Sequence, residues 1–232
     1  GILLGLLAGY FTHNLVVFDN IVSYIFFAII LGLIHARVAT PIASIQTKKI
    51  DSAIISQIAA PAVLVTLLAV IYFVHLPGMQ ASGDVIKAFR EQDPAARLEI
   101  FNQAFARDSF AQQELTEQLS QQAINLARNQ QVPADVRDDF LQATEQRLEE
   151  LQASKPGDAR VHVFIGSYYR SIGDLEKAAE QMGIARELSP QKQAIIIQQG
   201  FIELSREQNE AAVEFFQTAF ELDTRNLEAR EY

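Results

Sequence analysis

Apolar residues dominate the first part of the chain. The clearest apolar run extends from Ile54 to Leu76, 23 residues without one acidic or basic side chain. Because an α-helix rises about 1.5 Å per residue, this run is long enough to cross the roughly 30 Å hydrocarbon core of a membrane. The pattern predicts a membrane-spanning helix that ends at Pro77-Gly78. The alternative, a buried core helix, is disfavoured because two more apolar runs lie close by.

These two shorter runs, residues 2–18 and 21–36, are separated by an Asp-Asn pair at residues 19–20. One interpretation is a hairpin of two spans that turns at this pair. The other is a single span from Leu15 to Ala36 that buries the Asp. The hairpin is favoured because a carboxylate near the membrane surface costs far less free energy than one at the bilayer centre.

The loop that follows, residues 37–51, carries every basic residue of the predicted membrane region, residues 1–83: Arg37, Lys48 and Lys49. The positive-inside tendency places such a loop in the cytoplasm. One further crossing then puts everything after Pro77 outside the cytoplasmic membrane.

From Asp84 onward the pattern is that of a water-soluble helical protein. Asp93-Pro94 is typical of a helix start, and so is Pro133 followed by Asp135. Apolar residues then recur at helical spacing, at Val136, Phe140, Leu141, Leu148 and Leu151. Strand-like alternation is absent, so the sequence predicts an all-α protein.

Several residues in the last third of the chain recur with an offset of 34. The pairs are Gly166 and Gly200, Ala178 and Ala212, Met182 and Phe216, Ala185 and Ala219, and Leu188 and Leu222. This period and residue pattern resemble the tetratricopeptide repeat, a pair of helices that stacks into an α-solenoid. The predicted copies are residues 159–192 and 193–226 within an intact region 156–232, where Leu227–Tyr232 begins a third. Residues 84–155 are predicted to be degenerate repeats.

Each repeat position has a physical role in this interpretation. Gly166 and Ala178 are small because the two helices of a pair cross there, and Tyr169 and Met182 fill the space beside them. Gly173 is predicted to end the first helix, with Asp174 opening the turn into the second. His162 stands where the family usually has Trp and is interpreted as a packing residue.

The first helices of such repeats line a groove that binds peptides in many repeat proteins. The candidate groove residues are Arg160, Ser167, Arg170 and Ser171 from the first copy and Ile197, Phe201 and Leu204 from the second. An equally supported alternative is that Phe201 and Leu204 pack against neighbouring helices.

Charge excludes some classes of partner. The chain has a net charge of −9, and 16 of its 19 basic and 26 of its 28 acidic residues follow residue 83, a net of −10 for that part. This argues against nucleic acid, whose phosphates require a concentrated basic face. The chain has no cysteine, and its repeat part has no phosphate-binding Gly-rich loop and no histidine pair. We therefore expect no metal and no cofactor.

A polar cluster, Thr12-His13-Asn14, lies among the first apolar residues near Asp19-Asn20. Polar groups at membrane depth are functional candidates, which makes His13 a candidate catalytic residue. The alternative is that His13 is an interfacial anchor that hydrogen-bonds its neighbour.

The order of these features resembles that of a known family. The phrase YFTHNLVVFDNIVSYIFFAIILGLIHA, a basic loop, one more span and the helix SFAQQELTEQL lead into the repeats. In this order the chain resembles the carboxy-terminal end of O-antigen ligase-like membrane proteins that carry a tetratricopeptide tail. The resemblance implies a bacterial inner-membrane glycosyltransferase that moves a glycan from an undecaprenyl-diphosphate carrier to an acceptor, with its catalytic loop before this segment.

Two functional hypotheses follow. In the first, the chain is the carboxy-terminal part of such a transferase, and the repeats are an extracytoplasmic arm that binds a protein or peptide. In the second, the spans merely anchor a non-enzymatic interaction scaffold for envelope assembly in the lipid bilayer. Because the chain opens on Gly1 without a basic leader, we expect its beginning to be missing.

Overall fold

The structure, a computed structural model of the chain, describes residues 5, 8–10, 21–38 and 52–225. These residues form helices and short turns, and none of them is in a strand, which confirms the all-α prediction for the described part. His13, the Asp-Asn pair at 19–20, most of the basic loop and the predicted third repeat lie outside the described residues.

The chain divides into two compact units, Gly1–Leu64 and Val65–Tyr232. The first unit contains α1 (Ile21–Val38), a short α2 (Ser52–Ile54), a π-helical turn at Ile55–Ala59 and the start of α3 (Ala60–Val70). Tyr10 stacks on Phe27 of α1, with ring centroids 4.6 Å apart and an interplanar angle of 11°.

The predicted apolar span lies in a long helix. After α3, a second π-helical turn at Ile71–His75 continues directly into α4 (Leu76–Arg90). Among the described residues, Ile55–Arg90 is the one helix long and apolar enough to cross a membrane by length and composition, and its apolar window is unburied. A core helix of a soluble domain would bury this window.

The prediction that Pro77-Gly78 ends this helix is wrong, because α4 continues through both residues to Arg90. The physical reason lies in the preceding turn. In the π-helical turn Ile71–His75 the backbone hydrogen bonds shift to i→i+5, and the missing donor of Pro77 falls where the chain returns to α-helical bonding.

The rest of the second unit consists of helix pairs. The helices are α5 (Pro94–Phe105), α6 (Gln112–Ala127), α7 (Ala134–Ser154), α8 (Ala159–Ile172), α9 (Leu175–Leu188), α10 (Gln193–Ser205) and α11 (Asn209–Leu222). The closest packing is between α4 and α5, α6 and α7, α8 and α9, and α10 and α11. Each pair is joined by a short turn, so its two helices run antiparallel.

The last two pairs coincide with the two 34-residue copies, and the turn of the first copy forms as the sequence predicts. Gly173 ends α8 at φ +90°, the left-handed conformation that glycine adopts without strain. The Asp174 side chain then accepts a hydrogen bond from the Lys177 backbone N–H and opens α9. Before these pairs, the predicted repeat region 84–155 holds α5, α6, α7 and the end of α4.

The two helices of a repeat meet at a glycine. A Cβ added to Gly166 would lie 3.1 Å from Met182 Cγ and 3.2 Å from the Ala178 carbonyl oxygen. At the equivalent point of the next pair, a Cβ on Gly200 would lie 2.7 Å from the Phe216 ring. The helices therefore approach each other too closely for a larger residue.

Around these crossings lies the core of the second unit. One buried cluster extends from α4 to α10 and includes Phe101, Leu119, Phe140, Ile165 and Met182. A second cluster, formed by Ile196, Ile197, Ala212, Phe216 and Ala219, lies between α10 and α11.

A buried carboxylate joins α4 to the turn after α5. Asp84 is 3% exposed and lies 2.8 Å from Lys87 Nζ and 3.1 Å from Arg107 Nε. Burial by itself raises the pKa of Asp84, but the hydrogen bonds from Lys87 and Arg107 outweigh it and leave the pKa lowered. Asp84 therefore stays ionised and fixes the Arg107 turn against α4.

The glycine crossings give a testable ranking of stabilities. Gly200→Ala should lower the free energy of unfolding by about 1–3 kcal/mol, because the new methyl group overlaps the packed Phe216 ring. Gly166→Ala should cost less, because the flexible Met182 side chain can move aside. Chemical unfolding followed by circular dichroism measures both.

Gly183, inside α9, is the matched control, because a Cβ there would meet no atom within 4 Å. Gly183→Ala should raise the free energy of unfolding by about 0.5–1 kcal/mol through helix propensity alone. If Gly200→Ala behaved like Gly183→Ala, the close crossing would be refuted.

Candidate peptide-binding groove

A cavity of about 380 Å³ opens between α8 and α10, the first helices of successive repeats. We call it the α8–α10 groove. Its lining residues are Ala159, Arg160, Val163, Ser167, Ser189, Lys192, Ala194, Ile195 and Gln198. The wall therefore combines four aliphatic residues with five polar or cationic ones.

The α8 side of the groove follows directly from helix geometry. Asp158 caps the helix by accepting a hydrogen bond from the Arg160 backbone N–H at 3.0 Å. Arg160, Val163, Ser167 and Arg170 then follow at spacings of three, four and three residues, which places them on one face of α8. The opposite face, with Ile165 and Tyr169, lies in the core.

Charge is distributed unevenly between the first and second helices of the repeats. Helix α8 has two arginines and no acidic residue, and the one acidic residue of α10, Glu203, is paired with Arg206 at 3.0 Å. Most acidic residues lie on the second helices, namely Asp135, Asp138, Asp139, Glu145, Glu149 and Glu150 on α7, Glu176, Glu180 and Glu187 on α9, and Glu210, Glu214 and Glu221 on α11, although the first helix α6 carries Glu114 and Glu117. The α8–α10 side is thus the less acidic side of an acidic domain.

The cations at the groove differ in how they are held. The Arg160 Nη2 lies 2.9 Å from Asp158 Oδ2, and hydrogen bonds with Arg160 lower the pKa of the Asp158 carboxyl. Within the described residues, Lys192 and Arg170 form no ion pair. Of these two cations, Lys192 lines the groove and Arg170 lies further along the same face of α8, so both are available to an external carboxylate.

Gln198 contributes an unused acceptor. Its Oε1 atom is buried and has no hydrogen-bond partner among the described residues, although the side chain lines the groove. A buried carbonyl oxygen without a donor costs about 1–3 kcal/mol. Rotation of the Gln198 side chain into the groove would let a ligand N–H recover this cost. A peptide backbone supplies such a donor at every residue except proline.

The structure brings together some of the residues predicted for the groove. Arg160 and Ser167 line the cavity, and Arg170 continues their face of α8. From the second copy, Ile197 is only 3% exposed and belongs to the α10–α11 core cluster. Leu204 is 38% exposed near the end of α10.

Phe201 lies against the same core cluster. Its ring meets the Phe216 ring edge-on, at a centroid distance of 5.3 Å and an angle of 70°. This contact corresponds to the packing alternative for Phe201.

Sequence reasoning did not select several groove residues, among them Val163, Lys192, Ala194, Ile195 and Gln198. The 34-residue offset could have supplied Ala194, which is the equivalent of Arg160 in the second copy. Helical spacing with Arg160 and Ser167 could have supplied Val163. Lys192, Ile195 and Gln198 depend on how far α8 and α10 separate, for which the sequence holds no signal.

His162 is buried at 2% exposure, and the fold occupies both of its ring nitrogens. Nδ1 lies 2.9 Å from Gln181 Oε1, and Nε2 lies 3.1 Å from the Pro156 carbonyl oxygen. These contacts tie α8 to α9 and to the preceding turn, in keeping with a packing role. Within the described residues, no group of three His, Cys, Asp or Glu side chains is arranged to hold a metal ion.

Comparison with known proteins gives limited likenesses. No protein-family model and no curated protein matches the chain. Among solved structures it is similar to MamA 41-end from Desulfovibrio magneticus RS-1, at 20% identity and a TM-score of 0.35, over 65% of this chain and 97% of that one. It is also similar to a MamA RS-1 ArsTM double mutant, at 21% identity and a TM-score of 0.34, over 65% and 96%. At these TM-scores the likenesses define neither a partner nor an activity for this chain.

Proposed function

We propose that this chain is a protein-binding helical-repeat module attached to a membrane, and that the α8–α10 groove binds an extended segment of a partner protein. The observation that carries the proposal is the groove itself, a cavity of about 380 Å³ between the first helices of two successive repeats. Its volume is within the range of specific binding sites in proteins.

The chemistry of the groove favours a peptide. Ala159, Val163 and Ala194 offer an aliphatic surface for an apolar side chain, and Gln198, once its side chain rotates into the groove, offers an acceptor for a backbone N–H. Both elements are needed to hold an extended chain, because side-chain contacts give specificity and backbone hydrogen bonds fix the orientation.

Charge further restricts the partner. Lys192 and Arg170 are cations without a described counter-ion, while the acidic residues of the domain lie mainly on the second helices. A basic segment would be attracted away from the groove, towards the second helices. We therefore propose a partner segment in which acidic residues flank an apolar one.

The membrane attachment rests on the apolar helix. Its exposed side chains include Leu64, Leu67, Leu68, Ile71 and Phe73, each more than 45% accessible in the isolated chain. Exposure of so many large apolar side chains on a continuous helix is unfavourable in water and favourable in lipid. The basic loop before the helix supports an extracytoplasmic position for the repeats.

A more specific proposal is that the parent protein is a bacterial inner-membrane glycan transferase of O-antigen ligase type, with the repeats as its protein-binding arm. Its support is the apolar phrase between residues 10 and 36 and the order of segments after it. This hypothesis expects upstream sequence that encodes several further spans and a long extracytoplasmic loop containing Arg and His. A start codon immediately before Gly1 would exclude it and leave the anchored scaffold.

Filling the groove should abolish peptide binding. Peptides are first selected from a displayed random library on the full chain in detergent, and their affinities are measured by fluorescence anisotropy. Ala194→Trp places a large ring among the lining residues and should weaken binding roughly tenfold or more, equivalent to about 1.4 kcal/mol or more. Val213→Trp, on an exposed position of α11, is the matched control and should leave affinity unchanged.

The same peptides test the charge argument. The selected peptides should be rich in Asp and Glu. The double substitution Arg170→Glu and Lys192→Glu in the protein should weaken binding of these peptides. It should strengthen binding of peptide variants in which Lys replaces the acidic residues. Equal losses of peptide affinity in Ala194→Trp and Val213→Trp would contradict peptide binding in the groove. Unchanged affinity after the charge reversal would do the same.

Sidedness is tested by fusion after Tyr232. An enzyme that is active only outside the cytoplasm should be active at this position, because the basic loop is predicted to be retained on the inner side. A second fusion, to an enzyme active only inside, should be inactive. The reverse pair of results would refute an extracytoplasmic repeat domain.

A further inference from the structure

The turn between α5 and α6 lies beside the end of the uncharged helix. Phe110, in this turn, packs against Gly78 so closely that a Cβ on Gly78 would lie 2.6 Å from Phe110 Cε1. Arg107, in the same turn, donates hydrogen bonds to Asp84 Oδ2 at 3.1 Å and to Gln80 Oε1 at 3.3 Å. The turn is therefore held at the level of residues 78–84 of α4.

Antiparallel pairing explains this position. Helix α4 carries the chain about 20 Å away from the uncharged segment, and α5 returns it over a similar distance. The turn that follows α5 must then lie near the start of α4. The uncharged run ends at Leu76, so Gly78 and Phe110 lie only about 3 Å beyond it along the helix axis.

Two large apolar side chains at this level of the helix are exposed. Phe110 is 73% exposed and Met79 is 70% exposed, although one ring edge of Phe110 contacts Gly78. The same turn also carries Arg107, which is paired with Asp84, and the exposed acidic residue Asp108.

Exposed apolar side chains at the end of a membrane span are typical of residues that contact the membrane interface. Aromatic rings in particular gain free energy in the headgroup region. The occupant that fits this surface is the bilayer itself, because the uncharged helix brings the turn to the depth at which that bilayer ends.

We propose that the Phe110 turn is an interfacial foot, by which the first helix pair rests on the membrane with Phe110 and Met79 inserted among the headgroups. This proposal rests on the membrane attachment proposed above. Its consequence is that the first pair is held against the bilayer by two contacts, the helix and the foot.

The chain has no tryptophan, so variants with a single tryptophan report on depth without background. Three variants of the full chain, Phe110→Trp, Phe73→Trp and Val213→Trp, are reconstituted into phosphatidylcholine vesicles with and without lipids brominated near the top of the acyl chains. Bromine quenches tryptophan on contact. Phe73 lies in the uncharged helix, and Val213 is an exposed apolar residue on α11.

We expect brominated lipid to reduce the tryptophan emission of the Phe73→Trp and Phe110→Trp variants. The emission of Phe110→Trp should also be blue-shifted relative to that of Val213→Trp, which should be unquenched. Circular dichroism of each variant confirms that the helices are formed.

Two outcomes would overturn the proposal, and they differ in what they leave standing. Quenching in Phe73→Trp without quenching or a blue shift in Phe110→Trp would overturn the foot while leaving the anchor intact. Absence of quenching in Phe73→Trp would overturn both the anchor and the foot.

Discussion

The close crossing of the two helices within each repeat is the constraint on which the folded array depends. At Gly166 and Gly200 the absence of a side chain lets a neighbouring helix bring Met182 or Phe216 against the backbone. Packing at this distance fixes the angle and depth of each pair, because interiors are as dense as organic crystals and an added methyl group there displaces its neighbours. These crossings set how α8 lies on α9 and how α10 lies on α11, and packing between α9 and α10 joins the two pairs on either side of the groove.

Polar contacts then fix the helices of a pair and the turns beside them. His162 uses both ring nitrogens inside the fold, and Asp84 holds the turn after α5 through Arg107. Such buried polar groups contribute little net free energy when they are satisfied, but any shift that left them unpaired would be costly. They therefore select one arrangement among those that apolar packing alone would allow.

The apolar helix is continuous with the first helix pair of the second unit. From Val65 to Arg90 one helix passes from an unburied, uncharged part to a part that belongs to the first pair. In this second part Gly78, Ala81, Asp84 and Ala88 are buried. The same helix thus belongs to the proposed anchor and to the array. This continuity is what brings the Phe110 turn to the end of the uncharged run.

The sequence by itself determined the elements whose signals are local or periodic. Helical spacing, the caps at Asp93 and Gly173 and the 34-residue offset identified the helices and the two repeats, because each depends on residues close in sequence or on an exact repetition. Whether Pro77 ends a helix depended on the preceding π-helical turn, so that prediction failed. The groove lining and the Phe110 turn were decided by tertiary structure alone. They depend on distances between helices, which result from many contacts between residues distant in sequence.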